Sequence, residues 1–90
     1  MQEVRVNGNE FESLREVHEF LAGELDFPGY YGKNFSALYD VLTDICDDTR
    51  IVIDLSQVED DALLDGLEKM TEVMNDAAES NDYLEIVCVE

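Results

Sequence analysis

The sequence predicts an α/β fold: a three-stranded parallel sheet with about four helices, in the order β-α-α-β-α-α-β. Three observations lead there. Short runs rich in valine and isoleucine stand near the start (Val4, Val6), the middle (Ile51-Val52-Ile53) and the end (Leu84 to Val89). Between them the apolar residues recur every three or four positions, the period of a helix packed on one side. Strands joined by helical crossovers pair in parallel. Ninety residues suffice for one modest core and not for two, so residues 1–90 are expected to form a single domain.

Val4 and Val6, with a charged residue between them, read as a short strand ending at the turn pair Asn7-Gly8. Ser13 with Glu16 is a capping box that opens the first helix, whose apolar positions are Leu14, Val17, Leu21 and Leu25. Asp26 and Pro28 end it. Asn34 caps the second helix. The unbroken run Ile51-Val52-Ile53 with Leu55 has the composition of a strand buried on both faces. Ser56 with Glu59 forms a second capping box and predicts a short helix. Gly66 is expected to end or bend that helix before a longer one carrying Leu67, Met70, Val73, Met74 and Ala77. Leu84, Ile86, Val87, Cys88 and Val89 form the closing strand.

Composition narrows the function classes. Five basic against 23 acidic residues give a net charge of −18 at pH 7. Such a chain repels nucleic-acid phosphates and anionic membranes and speeds encounter with cationic partners. It is not expected to bind nucleic acid. A soluble surface or life at high salt would contribute to the same acidity. Apolar residues make up 46%, enough to build a core and to argue against disorder. Residues 1–6 show neither a basic nor an apolar leader region, and no run approaches the roughly 18 apolar residues of a membrane span. A cytoplasmic location is expected, with Cys46 and Cys88 as separate buried thiols.

No catalytic constellation is present. His18 is the only histidine and lies beside the apolar stripe of the first helix, where a structural role is expected. Neither phosphate-loop nor dinucleotide glycine patterns occur. The acidic clusters Asp47-Asp48 and Glu59-Asp60-Asp61, and the lone Asp76, lack the alternating ligands, glycine and terminal glutamate of a calcium loop. No cofactor, no metal and no enzymatic activity are expected.

The second helix stands apart. At about 100° per residue, Phe35, Leu38, Val41, Leu42 and Ile45 share one side. Ser36, Asp40, Thr43 and Asp47 share the other, with Tyr39 and Asp44 on the flanks. Tyr30 and Tyr31 enter just before it, in a turn containing Pro28, Gly29 and Gly32. Rigid aromatic side chains in a turn lose little entropy on binding, and a carboxylate among them suits a basic pocket. From these residues alone, the alternative stays open that both tyrosines pack inward and Asp40 is an ordinary surface charge.

The segment Phe27, Pro28, Tyr30, Tyr31, Gly32, Asn34, then Ala37, Leu38, Tyr39, Asp40, Leu42 and Thr43, resembles the signature region of the barstar family of intracellular ribonuclease inhibitors. The first strand ending in Val6-Asn7-Gly8 and the closing strand fit the same layout, so the resemblance covers nearly the whole chain. It implies a barstar-like fold and a non-enzymatic protein that plugs a ribonuclease active site one-to-one, in the manner of an immunity protein or antitoxin, and is monomeric when free. The partner would be a basic, barnase-like ribonuclease or a divergent toxin nuclease. The resemblance puts Asp40 in the place of a substrate phosphate. It also implies that Tyr30, Tyr31, Gly32, Asn34, Ser36, Tyr39, Thr43 and Asp44 line the contact, with Asp76 joining from the last helix. This chain departs from the family pattern at Ser36, where an acidic residue is usual, at Asp44, which replaces a glycine, and at Lys33, a positive charge in the loop. A barstar-like adaptor without ribonuclease inhibition is the alternative.

Overall fold

A computed structural model describes all 90 residues. Strands β1 (Gln2–Asn7), β2 (Thr49–Asp54) and β3 (Leu84–Val89) form one parallel sheet in the order β1-β2-β3. Helices α1 (Leu14–Glu24) and α2 (Phe35–Thr43) connect the first two strands, and α3 (Asp61–Glu79) connects the last two. A short 3-10 turn, Gly8–Glu10, follows β1.

The register explains which face is covered. Val4 pairs with Ile51 and Ile51 with Ile86, while Val6 pairs with Ile53. Alternation along a strand puts these on one face, and there all but the partly buried Ile86 join Val17, Leu21, Leu38, Leu42, Leu67, Met70 and Met74 in a single buried cluster. The opposite face carries the charged ladder Glu3–Arg50–Glu85 and the pair Arg5–Asp54. β2 is therefore buried on both faces only at its middle. Val52 is 7% exposed, whereas Arg50 and Asp54 on the same side are half-buried.

Three α-helices form, not about four. The expected short helix at Ser56 is absent because Asp54 captures that residue: its Oδ1 accepts from the Ser56 amide at 2.9 Å and the Ser56 hydroxyl at 2.6 Å. These bonds, with Arg5 behind them, hold the Asp54 carboxyl below its ordinary range. With Ser56 engaged, Asp60 becomes the N-cap of α3, its Oδ1 accepting from the amides of Ala62 and Leu63. Gly66 then lies inside one continuous helix. A Cβ there would stand 3.3 Å from Leu14 Cδ2, so the glycine marks where α1 approaches α3.

The other boundaries follow the expected caps. Ser13 Oγ accepts from the Glu16 amide, although the Glu16 carboxylate turns to the amide of Glu12 and the box is not reciprocal. Both cysteines are exposed and unpaired, contrary to the expectation of burial. Cys46 falls in the connection after α2, and Cys88 lies in the outer half of an edge strand. No helix is long and apolar enough to cross a membrane.

Candidate protein-interaction site

The loop between α1 and α2 is built by an ordered series of local bonds. The amide of Leu25 donates to Leu21 O and that of Phe27 to Ala22 O, each at 2.9 Å, around Asp26 at φ 55°. This is the Schellman ending of a helix, with aspartate at the left-handed position that glycine usually takes. The amide of Tyr31 then donates to Pro28 O at 3.0 Å and closes a turn.

That turn sends the two neighbouring tyrosines in opposite directions. Tyr30 is 87% exposed and Tyr31 only 8%. The Tyr31 hydroxyl meets His18 Nδ1 at 2.5 Å, and its ring lies 4.9 Å from that of Phe27. Burial pushes the Tyr31 hydroxyl up to about 12 and pulls the His18 imidazole down. His18 is 2% exposed and structural, as its place in α1 implied. The expectation that the Tyr31 side chain lines a contact surface is thus corrected. It anchors the loop from below, and only Tyr30 offers its ring to solvent.

Gly32 and Asn34 also serve the loop. A Cβ on Gly32 would stand 3.0 Å from Asn34 Nδ2. Asn34 caps α2, its Oδ1 accepting from the Ala37 amide at 2.8 Å. Between them Lys33 adopts φ 53°, and its Nζ lies 3.6 Å from Glu19 Oε2. The positive charge in the loop is therefore turned back onto α1.

Along α2, Leu38 and Leu42 are fully buried while Ser36 and Asp40 are exposed. Thr43 Oγ1 donates to Asp40 O at 2.9 Å, and the Tyr39 hydroxyl lies 3.3 Å from Ser80 Oγ. Asp44 is the exposed C-cap. Two grooves run beside the helix. A shallow one of about 290 Å³, shared with α3, is lined by Phe35, Ser36, Tyr39, Asp40, Val73 and Asp76. On the other side Tyr30 and Asp44 line a second groove, together with Asp26 and Asp47. The tertiary structure thus brings Asp76 beside Ser36, Tyr39 and Asp40, and puts Tyr30 and Asp44 in the other groove, with Asp44 one helical turn beyond Asp40.

Sequence reasoning missed Asn81. Buried after α3, it donates from Nδ2 to Leu42 O at 2.9 Å and to Ile45 O at 2.8 Å, and accepts from the Tyr83 amide. It gives the Ile45 carbonyl a partner and adds one to the Leu42 carbonyl, which also accepts from the Ile45 amide at 3.3 Å. Nothing local marks a lone asparagine for this task.

The charge arrangement completes the site. All five basic residues are engaged in ion pairs: Arg5 with Asp54, Arg15 and Lys33 with Glu19, Arg50 with Glu3 and Glu85, and Lys69 with Asp65. None of these pairs includes Asp40, Asp44 or Asp76. The α2 face therefore offers carboxylates without internal counter-charges, beside an exposed tyrosine and a helix held at both ends. No three histidine, cysteine, aspartate or glutamate side chains converge as a metal site. Exposed carboxylates of this kind attract cations.

A model of the family described as Barstar (barnase inhibitor) matches residues 1–89. A Bacillus subtilis (strain 168) protein named "Putative ribonuclease inhibitor YrdF" is 44% identical over 43 residues, which cover 48% of this chain and 47% of that protein. The match thus spans about half the length of this curated relative.

Proposed function

The chain belongs to the Barstar family, and from that premise we propose that it inhibits a barnase-type ribonuclease by one-to-one occlusion of the active site. It acts as a binding protein and not as an enzyme, in an immunity or antitoxin role in the cytoplasm. The observation that carries this reading is the α2 face, where Asp40 and Asp76 share one groove and no basic residue of the chain neutralises either. A ribonuclease must hold RNA phosphate and so presents cations in its active site. A carboxylate displayed on a firm helix can take the phosphate's place, with Ser36, Tyr39 and Thr43 around it and Tyr30 at the edge. Tyr31, Gly32 and Asn34 serve by shaping the loop.

The test is a titration of ribonuclease activity. The purified protein should leave RNA intact by itself and abolish cleavage by a barnase-type enzyme, with an endpoint at one inhibitor per enzyme. If guanyl-specific microbial ribonucleases and nucleases encoded beside this chain all keep full activity in excess protein, the inhibitor reading fails and the adaptor reading replaces it.

A further inference from the structure

We infer that the groove on the loop side of α2 is a second anchor, which receives one arginine side chain of the protein partner. This deepens the reading of the α2 face given above and rests on it. The groove has a volume of about 290 Å³ and a floor formed by Leu25, Phe27, Val41 and Ile45, all half-buried. Pockets for whole small molecules run from about 300 to 1,000 Å³, so this one lies at the small end of that range and has room for a single side chain.

Its rim selects the charge. Asp26, Asp44 and Asp47 all line the groove, all are exposed, and none is paired with any basic residue of the chain. Tyr30, almost wholly exposed, stands on the same rim. Carboxylates over an apolar floor, with an aromatic face beside them, fit a planar guanidinium on an aliphatic stem. Such a group stacks on aromatic rings and bonds carboxylates bidentately, which the ammonium of lysine does less well. The geometry is also firm: the Schellman ending sets Asp26, the turn anchored by Tyr31 sets Tyr30, and Asn81 holds the carbonyls of Leu42 and Ile45 on either side of Asp44. Together with the Asp40–Asp76 groove, this gives α2 a cation-binding site on each side.

The inference is tested with a small probe and no ribonuclease. Nα-acetyl-arginine N-methylamide is titrated into the ¹⁵N-labelled protein at about 0.1 M salt, where exposed charges more than about 10 Å apart are largely screened. Saturable shifts are expected at the amides of Tyr30 and residues 44–47. The neutral isostere, the corresponding citrulline derivative, should bind at least about fivefold more weakly, and Asp44→Asn with Asp47→Asn should weaken the arginine probe by about fivefold, as for exposed ion pairs. Amide positions outside the groove should be unchanged in that variant, which confirms its fold. Equal shifts from the citrulline probe, shifts that follow the Asp40–Asp76 groove instead, or diffuse unsaturable shifts would each overturn the inference. A protein that binds the probe here yet inhibits no ribonuclease would keep this groove and lose only the proposed function.

Discussion

Asp40 and Tyr31 belong to one short segment and do opposite work, and single substitutions separate them. Asp40 makes no ion pair within the protein, so Asp40→Ala should leave thermal stability nearly unchanged. Against the target ribonuclease the same change should cost about 2–5 kcal/mol, mainly in dissociation, because the enzyme's cations would be left buried without a counter-charge. That range draws in part on the barnase–barstar pair itself. Asp65→Ala, which removes a carboxylate paired with exposed Lys69, should cost less than about 1 kcal/mol. Equal small losses would reduce Asp40 to a surface charge. Tyr31 is read by pH instead. Its folded-state value of about 12 lies above the ordinary 10.0, so the folded protein holds the proton more tightly than the unfolded chain. The stability this contributes is complete below pH 10 and is lost as pH rises toward 12. The unfolding midpoint should fall across that window, and Tyr31→Phe should flatten the fall. His18 runs the other way. Burial lowers its value, so the stability tied to its neutral form is present above pH 6.5 and declines as pH falls below it. As the only histidine, its imidazole resonances should titrate visibly below 6.5.

At the scale of elements, α2 matters through what holds it. Its N-terminus rests on Asn34 and its C-terminus on Asn81, a residue far away in sequence. Asn81→Ala removes two donors from the carbonyls of Leu42 and Ile45 and should cost about 1–3 kcal/mol of stability. Amide exchange should speed up around residues 42–46 before it does in the sheet. Affinity for a ribonuclease should also fall, although Asn81 lies in no groove beside α2. Uniform exchange throughout the molecule would remove Asn81 from that positioning role. Gly8 is the corresponding point at the end of β1. A Cβ there would lie 2.6 Å from Val58 Cγ2 and 3.1 Å from the backbone oxygen of Asp54. Because backbone cannot retreat as a side chain can, Gly8→Ala should destabilise by roughly 1–3 kcal/mol, measured by denaturant unfolding.

For the whole molecule, the net charge of −18 acts over distance. Its five cations are spent on ion pairs in the sheet, α1, α3 and the loop, which leaves the α2 face without local neutralisation. Association with a basic ribonuclease should slow steeply as salt shortens the Debye length from about 30 Å at 0.01 M to about 10 Å at 0.1 M. Dissociation should change much less, since close pairs in a dried interface are poorly screened. The free protein should move the opposite way and become more stable with salt as its self-repulsion is screened. Stopped-flow rates and thermal unfolding at the two salt concentrations check both statements, and a salt-independent association rate would contradict steering.

The three strands, the helices α1 and α2 between the first two of them, the buried stripe of α2 and the Ser13 and Asn34 caps were legible in the sequence. They depend on periodicity and on bonds spanning two to four residues, which hold wherever the segment ends up. The motif running from Phe27 to Thr43 was legible in the same way and pointed to the family. The tertiary structure alone decided which tyrosine turns inward, because His18 must arrive from α1 to meet Tyr31. It alone put Asp76 beside Asp40 and Asn81 under the end of α2, across separations that no local rule spans. The absent fourth helix has the same lesson at short range. Ser56 offers a sound capping box, but Asp54, positioned by β2 and facing Arg5, takes the hydroxyl first. Local chemistry supplied the candidate bonds, and packing chose among those that competed.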